Sequence, residues 1–253
     1  MNHGNDNTWL FDLGNSRLKF APLRAGAVGE IVAVAHDGQA FAAGWEARLP
    51  SGFDTACIAA VAGEPLAGQL SAALAPRCRQ LSIARTLASM DGVRIAYAQP
   101  QRLGVDRFLA LVAAHARAAG PALVVGVGTA LTIDLVDANG EHIGGRIAPS
   151  PSLMRVALHE RAPVLPQSGG TYRDFATDTD DALASGCEGA AVGLVLHSRD
   201  QATRLLDCDA PGLLLHGGGA PALLAHLPGA LHAPALVLQG LARWASANPG
   251  TGR

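Results

Sequence analysis

Lysine is almost absent from this chain: of its 253 residues Lys19 is the only one, and the other 18 of the 19 basic side chains are arginine. Charge of either sign is sparse, at 16% of residues, with a formal net charge of −2. No Lys/Arg block supplies the concentrated basic surface that binding a phosphate backbone needs, so nucleic acid is not an expected partner. The four cysteines, Cys57, Cys78, Cys187 and Cys208, fit neither a CxxC nor a zinc spacing and are expected as reduced thiols. Apolar runs are broken well short of the ~20 residues a bilayer span requires. Met1 to Thr8 lacks the apolar core of a signal peptide. A soluble, cytoplasmic protein is the expectation.

Several common chemical signatures are missing as well. A P-loop needs GxxxxGK[ST], whereas the one lysine follows Ser16-Arg17-Leu18, which excludes Walker-type kinases. Gly126-Val127-Gly128 begins like a dinucleotide fingerprint, but Leu131 stands at the third glycine position. Thr132 and Ile133 then continue as a strand where a helix should open. His216-Gly217-Gly218-Gly219 resembles a lipase oxyanion loop, yet no Gly-x-Ser-x-Gly elbow accompanies it. The acidic run Asp178, Asp180, Asp181 lacks the glycine and bidentate glutamate of a calcium loop and fits a helix N-terminus instead.

What is present is apolar material, 49% of the chain, enough for one large core or two modest ones. Trp9 to Asp12, the turn Gly14-Asn15 and the alternating Arg17 to Phe20 predict a β-hairpin. Strands are expected at Ile31 to Ala35, Thr55 to Val61 and Val93 to Ala98. Helices are expected at Gln39 to Leu49, Glu64 to Leu74 and Val105 to Ala119, the last stopped by Gly120-Pro121. Then the pattern starts again. Ala122 to Val125, a turn at Gly126-Val127-Gly128-Thr129, and Leu131 to Val136 make a second hairpin, and Asn139-Gly140 leads into Ile143 to Ile147. A long helix is predicted from Thr179 to about Leu206, a strand over Gly212 to His216, a helix to Leu227, and a last helix around Leu241 to Ala247. Asp12 and Gly126 hold matching places in the two hairpins, 114 residues apart. The repeat predicts a duplicated α/β fold, residues 1–119 and 120–253, with a cleft between the halves.

The first hairpin gathers chemistry for handling phosphate. Asp12-Leu13-Gly14-Asn15-Ser16-Arg17-Leu18-Lys19 sets a carboxylate, exposed backbone N–H groups, a hydroxyl and an ammonium around one turn. Gly14 lets backbone approach a phosphate. Asp12 suits Mg²⁺ held through water, and Lys19 suits a transferring phosphoryl group. Lysine is not interchangeable with the arginine used everywhere else in this chain. Gly128-Thr129-Ala130 offers a second cradle of N–H groups with a hydroxyl. Taken alone, Asp106-Arg107 is an ordinary helix-start ion pair and Tyr97 a strand aromatic.

The order and spacing of these stretches resemble the type III pantothenate kinases. The matching segments are Asp12 to Lys19, Tyr97 with Leu103-Gly104-Val105-Asp106-Arg107, Gly128 to Asp134, Gly144-Gly145-Arg146-Ile147, and Asp178-Thr179 leading to Ala182 and Gly186. The resemblance implies the duplicated ribonuclease-H-like fold of actin, hexokinase and acetate kinase, and phosphorylation of pantothenate at the expense of ATP. It implies that Asp12, Leu13, Gly14, Asn15, Ser16, Arg17, Leu18 and Lys19 bind ATP and Mg²⁺, and that Thr129 contacts ATP. It further implies that Tyr97, Gly104, Val105, Asp106, Arg107 and Thr179 bind pantothenate, with Asp106 as general base, in a homodimer. Three departures stand out. Ser16 replaces the family's usual threonine, and Ser150 follows Pro149 where glycine is common. Gly126 replaces an aspartate that in the family ligates a monovalent cation, which puts K⁺ or NH₄⁺ binding in question. A kinase for another small acceptor, or a catalytically degraded sensor on the same fold, are the competing expectations.

Overall fold

The computed structural model describes residues 7–117 and 120–248. The chain forms two compact units, one of Met1–Arg117 with Ala235–Arg253, the other of Ala118–Pro234. The division departs from a simple halving, because the segment from Ala235 groups with the first unit.

In the first unit β1 (Thr8–Leu13) and β2 (Arg17–Arg24) form an antiparallel hairpin, and β3 (Ala27–Val28) and β4 (Val32–Ala35) both pair with β2. On its other side β1 runs parallel to β5 (Phe53–Ala60); α1 (Glu64–Leu74) follows, and then β6 (Cys78–Ile83), parallel to β5. A short ladder of β7 (Ser89–Met90) and β8 (Val93–Arg94) precedes α2 (Val105–Arg117). The core joins Phe11, Leu13, Leu18 and Phe20 of the hairpin to Leu66, Leu70 and Leu74, the buried stripe of α1.

The second unit repeats the plan. β9 (Ala122–Val127), β10 (Ala130–Val136) and β11 (His142–Pro149) form an antiparallel meander, followed by α3 (Pro151–Arg161) and α4 (Thr179–Leu206). β12 (Gly212–His216) then lies parallel to β9, and after α5 (Ala220–Leu224) β13 (Ala230–His232) lies parallel to β12. The sheet orders are β3-β2-β1-β5-β6 and β11-β10-β9-β12-β13, the same connectivity twice. All six residues of β9 are buried, as expected of a central strand covered on both faces. Its core gathers Val125, Val127, Ile133 and Leu215 with Ala191 and Val195 of α4.

The chain's last helix, α6 (Leu236–Ala247), explains the uneven division. It packs on α2 and on β1, β3 and β5 of the first unit. Gly240 permits the crossing, since a Cβ there would overlap the Leu109 carbonyl of α2. Other elements also differ from expectation. Residues 39–49 form only a 3₁₀ turn, Trp45–Arg48, because the apolar spacing there serves ring packing: Phe41 stacks on Trp45 at 3.9 Å. Strand pairing over residues 93–98 is confined to β8. β6 and α3 had no clear sequence signal, β6 because only Ser82 among its six residues is buried. No helix among the described residues is long and apolar enough to cross a membrane, and all four cysteines are free.

Candidate active site

The register of the first hairpin places its candidate site residues. Asp12 pairs directly with Lys19, and Leu13 with Leu18, leaving Gly14, Asn15 and Ser16 as the turn. The Gly14 N–H closes it by donating to the Arg17 carbonyl at 3.1 Å. Alternation buries Leu13 and Leu18 and leaves Asp12 and Lys19 partly exposed on the opposite face. Part of Asp12 reaches solvent, yet burial is the largest influence on its carboxyl and raises its pKa to about 7. Lys19 opposes that shift, and the carboxylate of Asp106 adds to it. The turn and the start of α2 therefore share one electrostatic neighbourhood.

Asp106 sits in the first turn of α2, where the Gly104 carbonyl accepts from the Phe108 N–H at 3.0 Å. A helix N-terminus favours negative charge. One carboxylate oxygen of Asp106 accepts from the Arg107 N–H at 2.8 Å. Gly104 leaves room for that carboxylate, since a Cβ at 104 would lie 2.6 Å from the same oxygen. The preceding loop is tied down by the Thr86 hydroxyl, which donates to the Leu103 carbonyl at 2.8 Å. Arg107 is only 7% exposed, and its guanidinium reaches the Tyr97 hydroxyl at 3.5 Å. Asp12, Lys19, Tyr97, Gly104, Asp106 and Arg107 thus all belong to the first unit.

Thr129 and Thr179 belong to the second. In the turn of β9 and β10 the Gly128 N–H donates to the Ala130 carbonyl at 2.9 Å, and Thr129 is exposed. Ser150 turns out to serve this turn. Its hydroxyl donates to the Thr129 carbonyl at 2.9 Å and accepts from the Leu153 N–H at 3.3 Å, so one side chain braces the turn and caps α3. A glycine could do neither. Thr179 opens α4 and is exposed beside an open depression that also involves Leu165 and Leu183. The acidic run is structural, as expected: Asp178 caps α4 by accepting from the Asp181 N–H at 2.9 Å, and Asp181 accepts from the Thr171 N–H at 2.7 Å. Among the described residues no group of three or more His, Cys, Asp or Glu side chains could hold a metal.

The register confirms that Gly126 occupies the place of Asp12. Gly126 pairs with Thr132 as Asp12 pairs with Lys19. It also pairs with His216 of β12, and the space a side chain would need is taken. A Cβ at 126 would lie 2.6 Å from the Thr132 hydroxyl oxygen and 3.0 Å from Nε2 of His216. Asp134, two residues beyond Thr132 on β10, is buried with its carboxylate 3.1 Å from Nε2 of His142. These residues do not fit a carboxylate-ligated monovalent cation.

Sequence reasoning missed Ser150 as a brace, and it missed His36, whose Nε2 lies 2.9 Å from the Gly14 carbonyl. The sequence signal for Ser150 was its position between Pro149 and Pro151, before a helix. For His36, twenty-two residues from Gly14, there was none.

Comparison with known proteins agrees with the geometry. The sequence pattern of one family, type III pantothenate kinase, matches residues 9–201. A type III pantothenate kinase of Stenotrophomonas maltophilia (strain R551-3) is 58% identical over 241 residues, covering 95% of this chain and 98% of that protein. One from Xanthomonas oryzae pv. oryzae (strain PXO99A) is 55% identical over 239 residues, covering 94% and 97%. Among solved structures, a Campylobacter jejuni protein assigned as a Baf family transcriptional activator superposes with a TM-score of 0.62 at 21% identity, covering 95% of this chain and 98% of that one. A Sinorhizobium meliloti protein assigned as a 2-dehydro-3-deoxygalactonokinase gives 0.57 at 17% identity, again covering 95% and 98%. At these identities the two structures speak for the duplicated α/β fold alone. The chain belongs to the type III pantothenate kinase family.

Proposed function

We propose that this chain, as a member of that family, transfers the γ-phosphoryl group of ATP to the primary hydroxyl of pantothenate, giving 4'-phosphopantothenate and ADP. The observation that carries the assignment of roles is the electrostatic coupling of Asp12 to both Lys19 and Asp106. It supports reading the turn as the phosphate site and the Asp106 carboxylate as the base.

In this reading the Asp12 to Lys19 turn receives the ATP phosphates, with the turn's N–H groups and Lys19 meeting their charge. Thr129 is assigned to the nucleotide on family membership alone. Tyr97, Gly104, Val105, Arg107 and Thr179 bind pantothenate. Asp106 accepts the proton of the substrate hydroxyl as its oxygen bonds to the γ-phosphorus and the bond to the β,γ-bridging oxygen breaks. Mg²⁺ bound with ATP neutralises phosphate charge. The donor set suits it: Mg²⁺ takes one or two carboxylates, phosphates and retained waters rather than an all-protein cage, and Asp12 is such a carboxylate. A nearby cation would also favour ionisation of this desolvated group. No role is assigned to K⁺ or NH₄⁺, since the residues around Gly126 do not fit one.

A homodimer, and residence in the cytoplasm, complete the proposal. Along α4, Ala191 is buried in the unit's own core and Leu194 packs against it. Ala190 and Gly193 are exposed, close to Leu196. On β11, Ile143 and Ile147 are exposed as well. The direct test is to incubate purified protein with Mg-ATP and pantothenate and follow phosphopantothenate by mass. A product found with a different hydroxyl acceptor but not with pantothenate would replace the substrate. Absence of ATP turnover with any acceptor would favour a sensor.

A further inference from the structure

The imidazole of His36 is held at both nitrogens. Nε2 lies 2.9 Å from the Gly14 carbonyl oxygen, and the Gly38 N–H donates to Nδ1 at 3.2 Å. A carbonyl can only accept and an amide N–H can only donate, so the two contacts select one neutral tautomer, with the proton on Nε2. The ring is also seated edge-on against Phe41, with centroids 5.5 Å apart. The backbone fixes its base: β4 pairs with β2 up to Ala35 opposite Arg17, and the His36 N–H then donates to the Ser16 carbonyl at 3.4 Å. His36 is thus placed by the sheet and aimed back at the turn between Asp12 and Lys19.

A planar trans peptide carries its C=O and the following N–H on opposite sides. Drawing the Gly14 carbonyl toward His36 therefore directs the Asn15 N–H the other way, and Asn15 is exposed. We propose that His36 is a positioning residue for the nucleotide: by holding the Gly14 carbonyl it aims the Asn15 amide at a polyphosphate. The proposal rests on the reading of this turn as the phosphate site. Without the brace the Gly14-Asn15 peptide is free to turn, and its carbonyl can face the phosphates in place of its N–H.

The experiment compares His36→Ala and His36→Gln with the unmodified protein. Each is titrated with MgADP by calorimetry and assayed for KM and kcat with both substrates. One net hydrogen bond sets the scale, so His36→Ala is expected to weaken MgADP binding and raise the KM for MgATP by roughly three- to tenfold, leaving the KM for pantothenate within about twofold. Glutamine carries both a donor and an acceptor, and should recover most of the loss. Equal changes toward both substrates, unchanged MgADP binding, or no recovery with glutamine would overturn the proposal. Should His36→Ala fail to fold, ¹⁵N NMR of the unmodified protein still decides the geometry. The proposal requires a protonated Nε2 and an unprotonated Nδ1 on His36, and the reverse tautomer would overturn it. MgADP binding and the tautomer are read without phosphoryl transfer. A protein that passes both but makes no phosphopantothenate would therefore refute the substrate assignment and not the role of His36.

Discussion

Gly126 of β9 and His216 of β12 are direct partners across parallel strands, and the imidazole borders the space a side chain at 126 would need. The absence of a carboxylate here is accordingly built into the packing, with histidine and Thr132 filling the place.

Activity should accordingly be indifferent to K⁺. Initial rates in Tris-buffered Mg-ATP, with Li⁺ balancing ionic strength, are expected to change little on adding KCl. Gly126→Asp would bring back the carboxylate that the resemblance implies at this position. With a Cβ 2.6 Å from the Thr132 hydroxyl and 3.0 Å from His216, the single substitution is instead expected to lower Tm without creating a site. Strong saturable activation of the unmodified protein by K⁺ would show that other oxygens make a site.

Asp106→Asn should nearly abolish turnover with the fold intact. General-base catalysis contributes ~10²–10⁴-fold, and α2 is held by buried Phe108, Leu109 and Val112, not by that carboxylate. Retention of more than about a tenth of the rate, well outside that range, would remove Asp106 from its role. Gly104→Ala tests the same group from outside. Its methyl would displace the Asp106 oxygen that lies 2.6 Å from the Cβ position, so kcat should fall more than Tm does.

Lys19→Arg keeps the charge but replaces a compact ammonium with a planar fork. Lys19 is fixed opposite Asp12 on one side and Ala33 on the other, which leaves a longer group little freedom to compensate. A loss of about an order of magnitude in rate at saturating pantothenate is expected. An unchanged rate would make the chain's one lysine incidental.

The raised pKa of Asp12 has a defined sign. Burial pushes its carboxyl up to about 7 in the fold from the ordinary 3.8, so between those values the native state holds a proton that the unfolded chain has already lost. Stability contributed by the neutral form is complete below about pH 4 and is lost as pH rises toward 7. Asp12→Asn removes the titration. Relative to the unmodified protein its Tm should gain as pH rises from about 4 to 7 and then level off. A constant Tm difference across that window would show that Asp12 is not desolvated in the way its surroundings imply.

The sequence alone determined the two hairpins, the duplication and the candidate residues gathered at the first turn. These rest on local information: alternation over five to eight residues, a Gly-Asn turn, and a lone lysine in register with an aspartate. It also exposed Gly126 as a departure, since the resemblance implies an aspartate at that position. Only tertiary structure decided what lies between distant segments. The return of α6 to the first unit depends on a close approach at Gly240 to Leu109, which no periodicity records. The apolar spacing of Phe41 and Trp45 fits a helix as well as a ring stack, and packing chose the stack. His36 on Gly14, Ser150 on Thr129 and His216 beside Gly126 are contacts of single side chains across 21 to 90 residues of chain. Hydrogen-bond geometry and excluded volume in the folded chain set such contacts, and neither leaves a pattern in the order of the amino acids.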